Sequence, residues 1–429
     1  MTQTSTIENA FGAARDRYAT LGVDVDAALK SLAGLAISLQ CWQGDDVGGF
    51  EESDSALGGG LAVTGNHPGK ARNVDELRQD MEKALSLIPG RHRVNLHAMY
   101  GEFGGRKVDR DAIGPEHFRG WVGWANAHGL GLDFNATCFS HPKADTGFTL
   151  SSPDSATSAF WIDHVQRCRA ISAHMGRETK SASVHNLWVP DGSKDLPVDR
   201  FGYRARLKES LDAIYAKSHD RAHMVDSVES KLFGLGSEAF VVGSHEFYLA
   251  YALTKGLMVC LDTGHFHPTE SVADKIPALL NFYDELLLHV SRGVRWDSDH
   301  VVVVDDELRR LAEEIVRASR ASSGTGAFDR VRVALDFFDG SINRIGAWVI
   351  GVRATQKAFL MALLEPHAKL TECETKGELF ARLGLMEEAK TLPIGAVWDY
   401  FCLTHNVPVG ESWIDAVRLH EKDVLSKRS

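Results

Sequence analysis

Residues 257–291 read LMVCLDTGHFHPTESVADKIPALLNFYDELLLHVS and decide the fold. An apolar run at 257–265 is followed, after residues with helical periodicity at 272–285, by a second apolar run at 286–291. Two strands separated by one helix form a β-α-β unit. The helix carries the chain back to the edge where the first strand began, so the two strands pair in parallel.

The same alternation extends in both directions along the chain. Short apolar runs of this kind are typical of parallel strands that are buried on both faces. The eight predicted strands are residues 36–42, 93–100, 130–137, 182–189, 224–233, 257–265, 286–291 and 330–339. The predicted helices that follow them are 75–88, 115–129, 154–178, 204–218, 244–256, 272–285, 305–321 and 342–365. Repeated β-α units in this number predict an α/β fold, a (β/α)8 TIM barrel.

The barrel accounts for most of the 429 residues. We predict a helical N-terminal extension at 1–35, a catalytic barrel at 36–365 and a helical C-terminal extension at 366–429. The longest irregular stretch, 43–73, follows the first strand and is rich in Gly, Asp and Glu. A loop in that position lies over the C-terminal mouth of a barrel, so it is a candidate lid.

Composition and charge exclude several classes of protein. The 58 acidic and 47 basic residues give a formal net charge of −11, which argues against a nucleic-acid partner. No run reaches the ~18 apolar residues of a membrane-spanning helix, and residues 1–18 lack the apolar stretch of a secretory signal. The six cysteines include no C-x-x-C pair. We therefore expect a cytoplasmic protein with neither a membrane nor a nucleic-acid partner.

Functional side chains collect where the predicted strands end. Alternate residues of a strand share a face, so these side chains point into the barrel near its mouth. They are Gln40, Trp42, Asn95, His97, Asp133, Asn135, Asn186, Trp188, Glu229, Lys231, Asp262, His289 and Asp336, with His265, His267, Asp297 and Asp299 just beyond strands six and seven. So many polar groups in one low-dielectric space stay unsatisfied unless something binds them.

Five acidic residues and two histidines of this set are hard metal ligands. They are Glu229, Asp262, Asp297, Asp299 and Asp336, with His265 and His289. Oxygen-rich sites of this kind suit Mg²⁺ or Mn²⁺ and also accept Co²⁺ or Zn²⁺. These ligands exceed what one octahedral ion takes while it also holds a substrate, so we predict two divalent ions.

Each residue also has a structural interpretation when it is taken alone. These interpretations are turn caps for Asp262, Asp297, Asp299 and Asp336, a core histidine for His289, a buried ion pair for Glu229 with Lys231, and core packing for Trp42 and Trp188. Their occurrence together, on consecutive strands at the catalytic face, favours the metal site.

Motifs along almost the whole chain carry a family resemblance. They are CWQGDD at 41–46, NLHA at 95–98, GLDFN at 131–135, WVPDG at 188–192, VESKLFG at 228–234, DTGHFHPTE at 262–270, HVS at 289–291, VRWDSDH at 294–300 and LDFFD at 335–339. These motifs resemble those of the L-rhamnose isomerases, a family in the xylose-isomerase-like group of metal-dependent barrels.

The resemblance implies two metal sites with separate ligand sets. The implied ligands are Glu229, Asp262, His289 and Asp336 for a structural metal, and His265, Asp297 and Asp299 for a catalytic metal. The family interconverts L-rhamnose and L-rhamnulose, prefers Mn²⁺, is cytosolic and usually forms homotetramers.

We expect a metal-assisted hydride shift between C1 and C2 of the sugar. Lys231 would stabilise charge that develops at O1, and Asp336 would orient water or a substrate oxygen. His97 is placed to assist ring opening or to hold the ring oxygen. The candidate catalytic residues are Lys231, Asp336, His97 and Glu229, and the candidate substrate-binding residues are Trp42, Trp188, His97, Lys231 and His265.

Two other functions stay open at this point. A sugar epimerase or a metal-dependent hydrolase on the same barrel would use similar ligands, although an epimerase needs a base on each face of one carbon and only Glu229 is evident. A metal- or sugar-binding protein without turnover is the other alternative. Lys231 argues against metal storage, because a cation among the ligands weakens metal binding.

Overall fold

The computed structural model describes residues 3–51, 61, 63–232, 237–267, 269–294, 296–321, 328 and 330–428, with the backbone alone for residues 296–299. The predictions for the middle of the 43–73 loop, for the end of the 224–233 run and for the side chains of Asp297 and Asp299 lie outside the described residues.

Parallel strands close into a barrel, which confirms the predicted fold. The eight barrel strands are β1 (Ala36–Gln40), β2 (Arg91–His97), β3 (Gly131–Asn135), β4 (Ser183–Trp188), β5 (Met224–Glu229), β6 (Met258–Asp262), β7 (Leu286–Val290) and β8 (Val331–Leu335). Each strand pairs in parallel with its neighbours in this order, and the register of Ile37 with Val333 joins β1 to β8. Each observed strand overlaps one predicted run.

Several strands end earlier than the apolar runs predict. β5 ends at Glu229 and not at residue 233, so Lys231 lies in the loop that follows it. The reason is that the Lys231 amide donates to the carbonyl of Gly243, outside the barrel ladder. Asp336 likewise lies one residue beyond the end of β8.

Helices follow the barrel strands and extend the chain at both ends. They are α1 (Gln3–Ala19), α2 (Val25–Gly34), α3 (Val74–Leu85), α4 (Arg119–His128), α5 (Ser155–Thr179), α6 (Arg200–Tyr215), α7 (His245–Lys255), α8 (Lys275–Leu279), α9 (Asp306–Ala321), α10 (Arg344–Leu363), α11 (His367–Thr375), α12 (Leu379–Ala389), α13 (Ile394–Thr404) and α14 (Ser412–Asp423).

The prediction of a helix over 272–285 was wrong in length, because α8 has only five residues. Pro277 has no backbone N–H to donate to the preceding turn. The side-chain amide of Asn281 then donates to the Pro277 carbonyl at 2.7 Å, in the place that a backbone N–H of a longer helix would take.

Two different sectors face the interior of the barrel. One sector is apolar and consists of Val184, Val225, Met258, Cys260, Leu287 and Ala334. In the polar sector, the Arg93 guanidinium donates to both oxygens of Asp133, at 2.9 and 2.8 Å, and the Ser38 hydroxyl donates to Asp133 at 2.7 Å. Asp133 therefore belongs to a buried structural ion pair in the middle of the barrel.

The two terminal extensions pack on each other and on the barrel helices. The ring of Phe11 in α1 stacks on Tyr400 in α13 with 3.8 Å between centroids. Near the C-terminus, the Arg428 guanidinium donates to both oxygens of Asp80 in α3. Their division from the barrel as separate segments stays a prediction.

No single helix in the described part of the chain is long and apolar enough to cross a membrane. Only α10 and α11 taken together meet such a criterion, as a pair bent by 52°.

Candidate metal centre

Four side chains from the last barrel strands converge at the mouth. Glu229 ends β5, Asp262 ends β6, His289 is the second-last residue of β7, and Asp336 follows β8. One ligand atom from each of the four lies within 4.8 Å of the others. The sequence folds this way because β6 and β7 pair with Asp262 opposite His289, and parallel strands end at the same edge.

The imidazole of His289 lies among the carboxylates. Its Nδ1 is 3.0 Å from an Asp336 oxygen, 3.3 Å from a Glu229 oxygen and 3.9 Å from Asp262 Oδ2. The side-chain amide of Asn186 donates to Glu229 Oε2 at 2.5 Å. The cluster therefore combines three carboxylates with one imidazole in a buried space.

Electrostatics in this space favours a cation. Burial and the neighbouring carboxylates raise the pKa of Asp262 to about 7. Burial also raises the pKa of Asp336. Burial opposes the charged forms of Glu229 and His289, yet their mutual attraction prevails, so the pKa of Glu229 is lowered and that of His289 is raised. Protons thus partly neutralise carboxylates that a divalent ion would neutralise fully.

The hydrogen bonds of Asp262 test whether the cluster fits a metal ion. Its Oδ1 accepts the Gly264 amide at 2.6 Å and the Ser291 hydroxyl at 2.7 Å. Its Oδ2 is buried and has no hydrogen-bond partner among the described residues. One oxygen is held and the other is left for a ligand, as expected of a carboxylate that binds a metal. The four predicted structural-metal residues therefore fit a hard divalent ion.

The residues predicted for the second metal are only partly described. His265 lies beside the cluster, with Nδ1 3.3 Å from Glu229 Oε1. Asp297 and Asp299 lie in the short strand Trp296–His300, which pairs antiparallel with Arg292–Val294. Since their side chains are outside the described residues, their part in a second site stays a prediction. His267 is exposed, and its Nδ1 lies 2.7 Å from the Thr269 hydroxyl.

An aromatic wall stands beside the cluster. The Trp42 ring packs edge-on against His97 at 4.8 Å, His97 against Phe139 at 5.6 Å, and Phe139 against Trp188 at 5.7 Å between centroids. The Lys231 ammonium lies 5.6 Å from the centre of the Trp188 ring. The structure thus brings together four of the five candidate substrate-binding residues of the sequence analysis, and adds Phe139. The four are Trp42, Trp188, His97 and Lys231, and the fifth, His265, lies beside Glu229.

Buried residues that the sequence analysis missed hold His97 in place. The Arg110 guanidinium donates to the carbonyls of Thr137 and Phe139. The His164 Nδ1–H donates to the Arg110 carbonyl at 3.0 Å, and its Nε2 accepts the Thr137 amide at 3.1 Å. Thr137 Oγ1 in turn lies 3.2 Å from His97 Nδ1. No local pattern marks these residues, because their contacts join distant segments.

Burial keeps His97 neutral, and the nearby charge of Arg110 adds to the effect. Burial, with the positive charge of Arg110 second, lowers the pKa of His97 to about 3. Glu51 neutralises Arg110 itself, accepting its Nε–H at 2.8 and 2.9 Å. A neutral imidazole with Nδ1 at Thr137 has its Nε2 left for another partner.

Comparison with known proteins identifies relatives of the whole chain. The family model of L-rhamnose isomerase (RhaA) matches residues 5–428. The L-rhamnose isomerase of Rhodopirellula baltica is 54% identical over 429 residues, covering 100% of this chain and 99% of that protein. The L-rhamnose isomerase of Salmonella typhimurium is 54% identical over 426 residues, covering 99% of this chain and 100% of that protein.

Similarity to solved structures is weaker. An L-ribulose 3-epimerase structure is 12% identical, with a TM-score of 0.44, and covers 72% of this chain and 97% of its own. That similarity carries no argument about function. The family model and the two relatives confirm the predicted aldose–ketose isomerase, and the chain belongs to the L-rhamnose isomerase family.

Proposed function

We propose that this chain interconverts L-rhamnose and L-rhamnulose by a metal-assisted hydride shift between C1 and C2. The observation that carries the proposal is the convergence of Glu229, Asp262, His289 and Asp336, with a free Asp262 oxygen, beside an aromatic wall. A site of this kind can hold a cation and one apolar face of a sugar at the same time.

Two divalent ions per subunit are proposed, with Mn²⁺ first and Zn²⁺, Co²⁺ or Mg²⁺ as alternatives. The proposed ligands are Glu229, Asp262, His289 and Asp336 for the structural ion, and His265, Asp297 and Asp299 for the catalytic ion. When bound, such ions polarise a sugar carbonyl and acidify the adjacent hydroxyl.

Side chains of the mouth are assigned to the sugar. Lys231 is buried and carries a positive charge beside Trp188, so it is suited to stabilise negative charge that develops at O1. Asp336, the least buried of the four cluster residues, orients water or a substrate oxygen. Glu229 holds its charge between His265 and His289 and acts through the bound cation.

The aromatic wall is assigned to recognition of the sugar. The neutral His97 imidazole assists ring opening or holds the ring oxygen, with Thr137 fixing its other nitrogen. Trp42 and Trp188 offer apolar faces to the methyl-bearing part of the sugar. Replacing Trp42 would therefore affect KM more than kcat.

The wider setting follows the resemblance. We propose a cytoplasmic homotetramer in which the 43–73 loop covers the mouth and the extensions at 1–35 and 366–429 pack on the barrel at 36–365. Neither a nucleic acid nor a membrane is a proposed partner.

Incubation of the purified protein with Mn²⁺ and L-rhamnose tests the proposal. The expected product is the ketose, and EDTA should abolish its formation. Appearance of an epimer in place of the ketose would replace the proposal with an epimerase, and metal binding without turnover would leave a binding protein. The route is tested in D₂O, where substantial deuterium on C1 of the ketose, or on C2 of the recovered aldose, would require an enediol and exclude the hydride shift.

A further inference from the structure

A cavity of about 720 Å³ occupies the barrel on the side away from the mouth. At one end it is lined by Lys30, Ser31 and Gly34 of α2, next to the first residues of β1 and β8. At the other end it reaches Asn186 and His289, near the last residues of β4 and β7. The cavity therefore extends through the barrel from α2 to the side of the metal centre that faces away from the sugar.

The cavity lining is mixed, since Val184, Leu287 and Ala334 of the apolar sector share it with Arg93, Asn95, Asn186 and Ser38. Its two arginines are already paired, Arg93 with Asp133 and Arg332 with Glu285 at 2.7 Å, and its lysine, Lys30, is exposed at the α2 end. The interior of the cavity therefore offers little attraction to an anion, while its Arg, Asn and Ser groups disfavour a wholly apolar molecule. Cavities that remain empty are apolar, whereas a roomy polar cavity holds water.

Two buried atoms at the end of the cavity next to the metal centre lack nitrogen or oxygen partners within the described part of the chain. Asn186 donates from Nδ2 to Glu229, but its Oδ1 has no hydrogen-bond partner in the described ranges. His289 meets the carboxylates through Nδ1, and its Nε2 likewise has no nitrogen or oxygen partner there, although the Cys260 thiol lies close to the ring. The two residues are only 2% and 1% exposed. Buried polar atoms are nearly always hydrogen-bonded, and a metal-binding histidine nearly always engages its second ring nitrogen.

We propose that a column of ordered water fills this cavity from α2 to the metal centre and completes the hydrogen bonds of Asn186 and His289. The cavity has room for about 24 water molecules at about 30 Å³ each. The water orients Asn186, so that its amide continues to donate to Glu229, and it fixes the His289 ring. The column thus keeps the metal ligands hydrated from behind when a sugar covers the mouth, a role that rests on the proposed metal centre.

A crystal structure of the Mn²⁺-loaded protein at high resolution tests the hydration. We expect ordered water within hydrogen-bonding distance of Asn186 Oδ1 and of His289 Nε2, continued by further waters toward Gly34. A cavity without ordered water would overturn the proposal. So would a structure in which protein groups form the hydrogen bonds to both Asn186 Oδ1 and His289 Nε2.

Filling the cavity tests the support that water gives to the metal ligands. Ala334 lines the cavity and lies opposite His289 in the β7–β8 register. Ala334→Leu should displace the upper waters and weaken Mn²⁺ binding about tenfold, whereas Ala334→Ser should retain both. Calorimetric titration measures the affinity, and crystal structures of both variants show the waters.

Unchanged Mn²⁺ affinity in an Ala334→Leu protein that has lost these waters would overturn the supporting role. Val184→Ile fills the same cavity with one added methylene and serves where the leucine variant fails to fold. Neither measurement uses turnover. If the protein binds Mn²⁺ but does not isomerise L-rhamnose, the proposed function is refuted. The water column can still be tested in that protein, by Mn²⁺ affinity and by crystal structures.

Discussion

Two buried carboxylates inside the same barrel, Asp133 and Asp262, are held in opposite ways. Asp133 in the middle of the barrel accepts hydrogen bonds from Arg93 on both oxygens, from Ser38 and from the Val184 amide. Asp262 at the mouth has one oxygen held by Gly264 and Ser291, while the other lacks a partner among the described residues.

Because their partners differ, the pKa of Asp133 is lowered and the pKa of Asp262 is raised. Burial works to raise the pKa of Asp133, but the Arg93 charge and the donated hydrogen bonds lower it overall. Burial and neighbouring carboxylates raise the pKa of Asp262 to about 7. A structural carboxylate has its counter-charge in the same chain, whereas a functional one keeps an oxygen for a ligand from outside.

Removing the charge of Asp133 should have the largest effect on stability. Asp133→Asn leaves the Arg93 guanidinium buried without its counter-charge and should cost about 3–5 kcal/mol of unfolding free energy. Urea unfolding followed by circular dichroism measures this loss. Mn²⁺ affinity of the folded variant should stay near that of the parent. A loss below about 1 kcal/mol would show that the pair is not structural.

The matched substitution at the mouth, Asp262→Asn, should reduce Mn²⁺ affinity and leave stability unchanged or higher. Asp262→Asn removes a ligand and should weaken Mn²⁺ binding about 100-fold or more, with activity lost in parallel. The metal-free variant should be at least as stable as the metal-free parent, because one carboxylate fewer is crowded into the cluster. Calorimetric titration and urea unfolding of the same samples check both effects. If the variant is strongly destabilised but keeps its metal affinity, Asp262 is a structural carboxylate like Asp133.

A smaller effect should follow from the support of Asp262. Ser291→Ala removes the hydroxyl that donates to Asp262 Oδ1 and should weaken Mn²⁺ binding about tenfold. Ser291→Thr retains a hydroxyl and is the control that should bind more tightly than the alanine variant. If the parent and Ser291→Ala bind Mn²⁺ equally well, the Ser291 hydroxyl does not support metal binding by Asp262.

His164 extends the comparison to a buried histidine that is fully satisfied within the chain, and the predicted effect is a change in the pH dependence of stability. Both ring nitrogens of His164 are used in its neutral form, and burial with Arg110 lowers its pKa to about 3. The unfolded chain takes up a proton on this residue below pH ~6.5 while the folded protein does not. This stability contribution is therefore complete above pH ~6.5 and is lost as pH falls toward the folded pKa.

The variant His164→Gln cannot take up that proton in either state. Between pH 6 and 4, its unfolding free energy should fall less steeply with falling pH than that of the parent, by about 1.4 kcal/mol per pH unit. Urea unfolding at several pH values measures the slope. Identical slopes for the two proteins would mean that His164 titrates alike when folded and unfolded.

The strands and the four clustered residues at the mouth were predictable because their signals are local. Apolar runs of strand length predicted the barrel, and Asp262 and Asp336 mark the ends of such runs. The local signal failed at 272–285, where Pro277 and the Asn281 side chain shorten the helix. The predicted strand also ran too far at Lys231, because the backbone amide of Lys231 donates to the Gly243 carbonyl outside the barrel.

The residues that hold His97 in place could not be predicted from the sequence. Arg110, His164 and Thr137 come from three segments whose approach depends on how β2, β3 and α5 pack. The aromatic ring of Phe139 joins the wall for the same reason. None of these residues lies in a pattern that differs from ordinary core or loop sequence.

By itself, the sequence determined the barrel, the family and the residues that gather at the mouth, because periodicity and strand-end chemistry act over a few residues. Only the tertiary structure decided which buried carboxylate is satisfied and which is left for a ligand. Asp133 has Arg93 40 residues away and Asp262 has Ser291 29 residues away. Such partners are set by strand register and packing, which bring into contact groups that are distant along the chain.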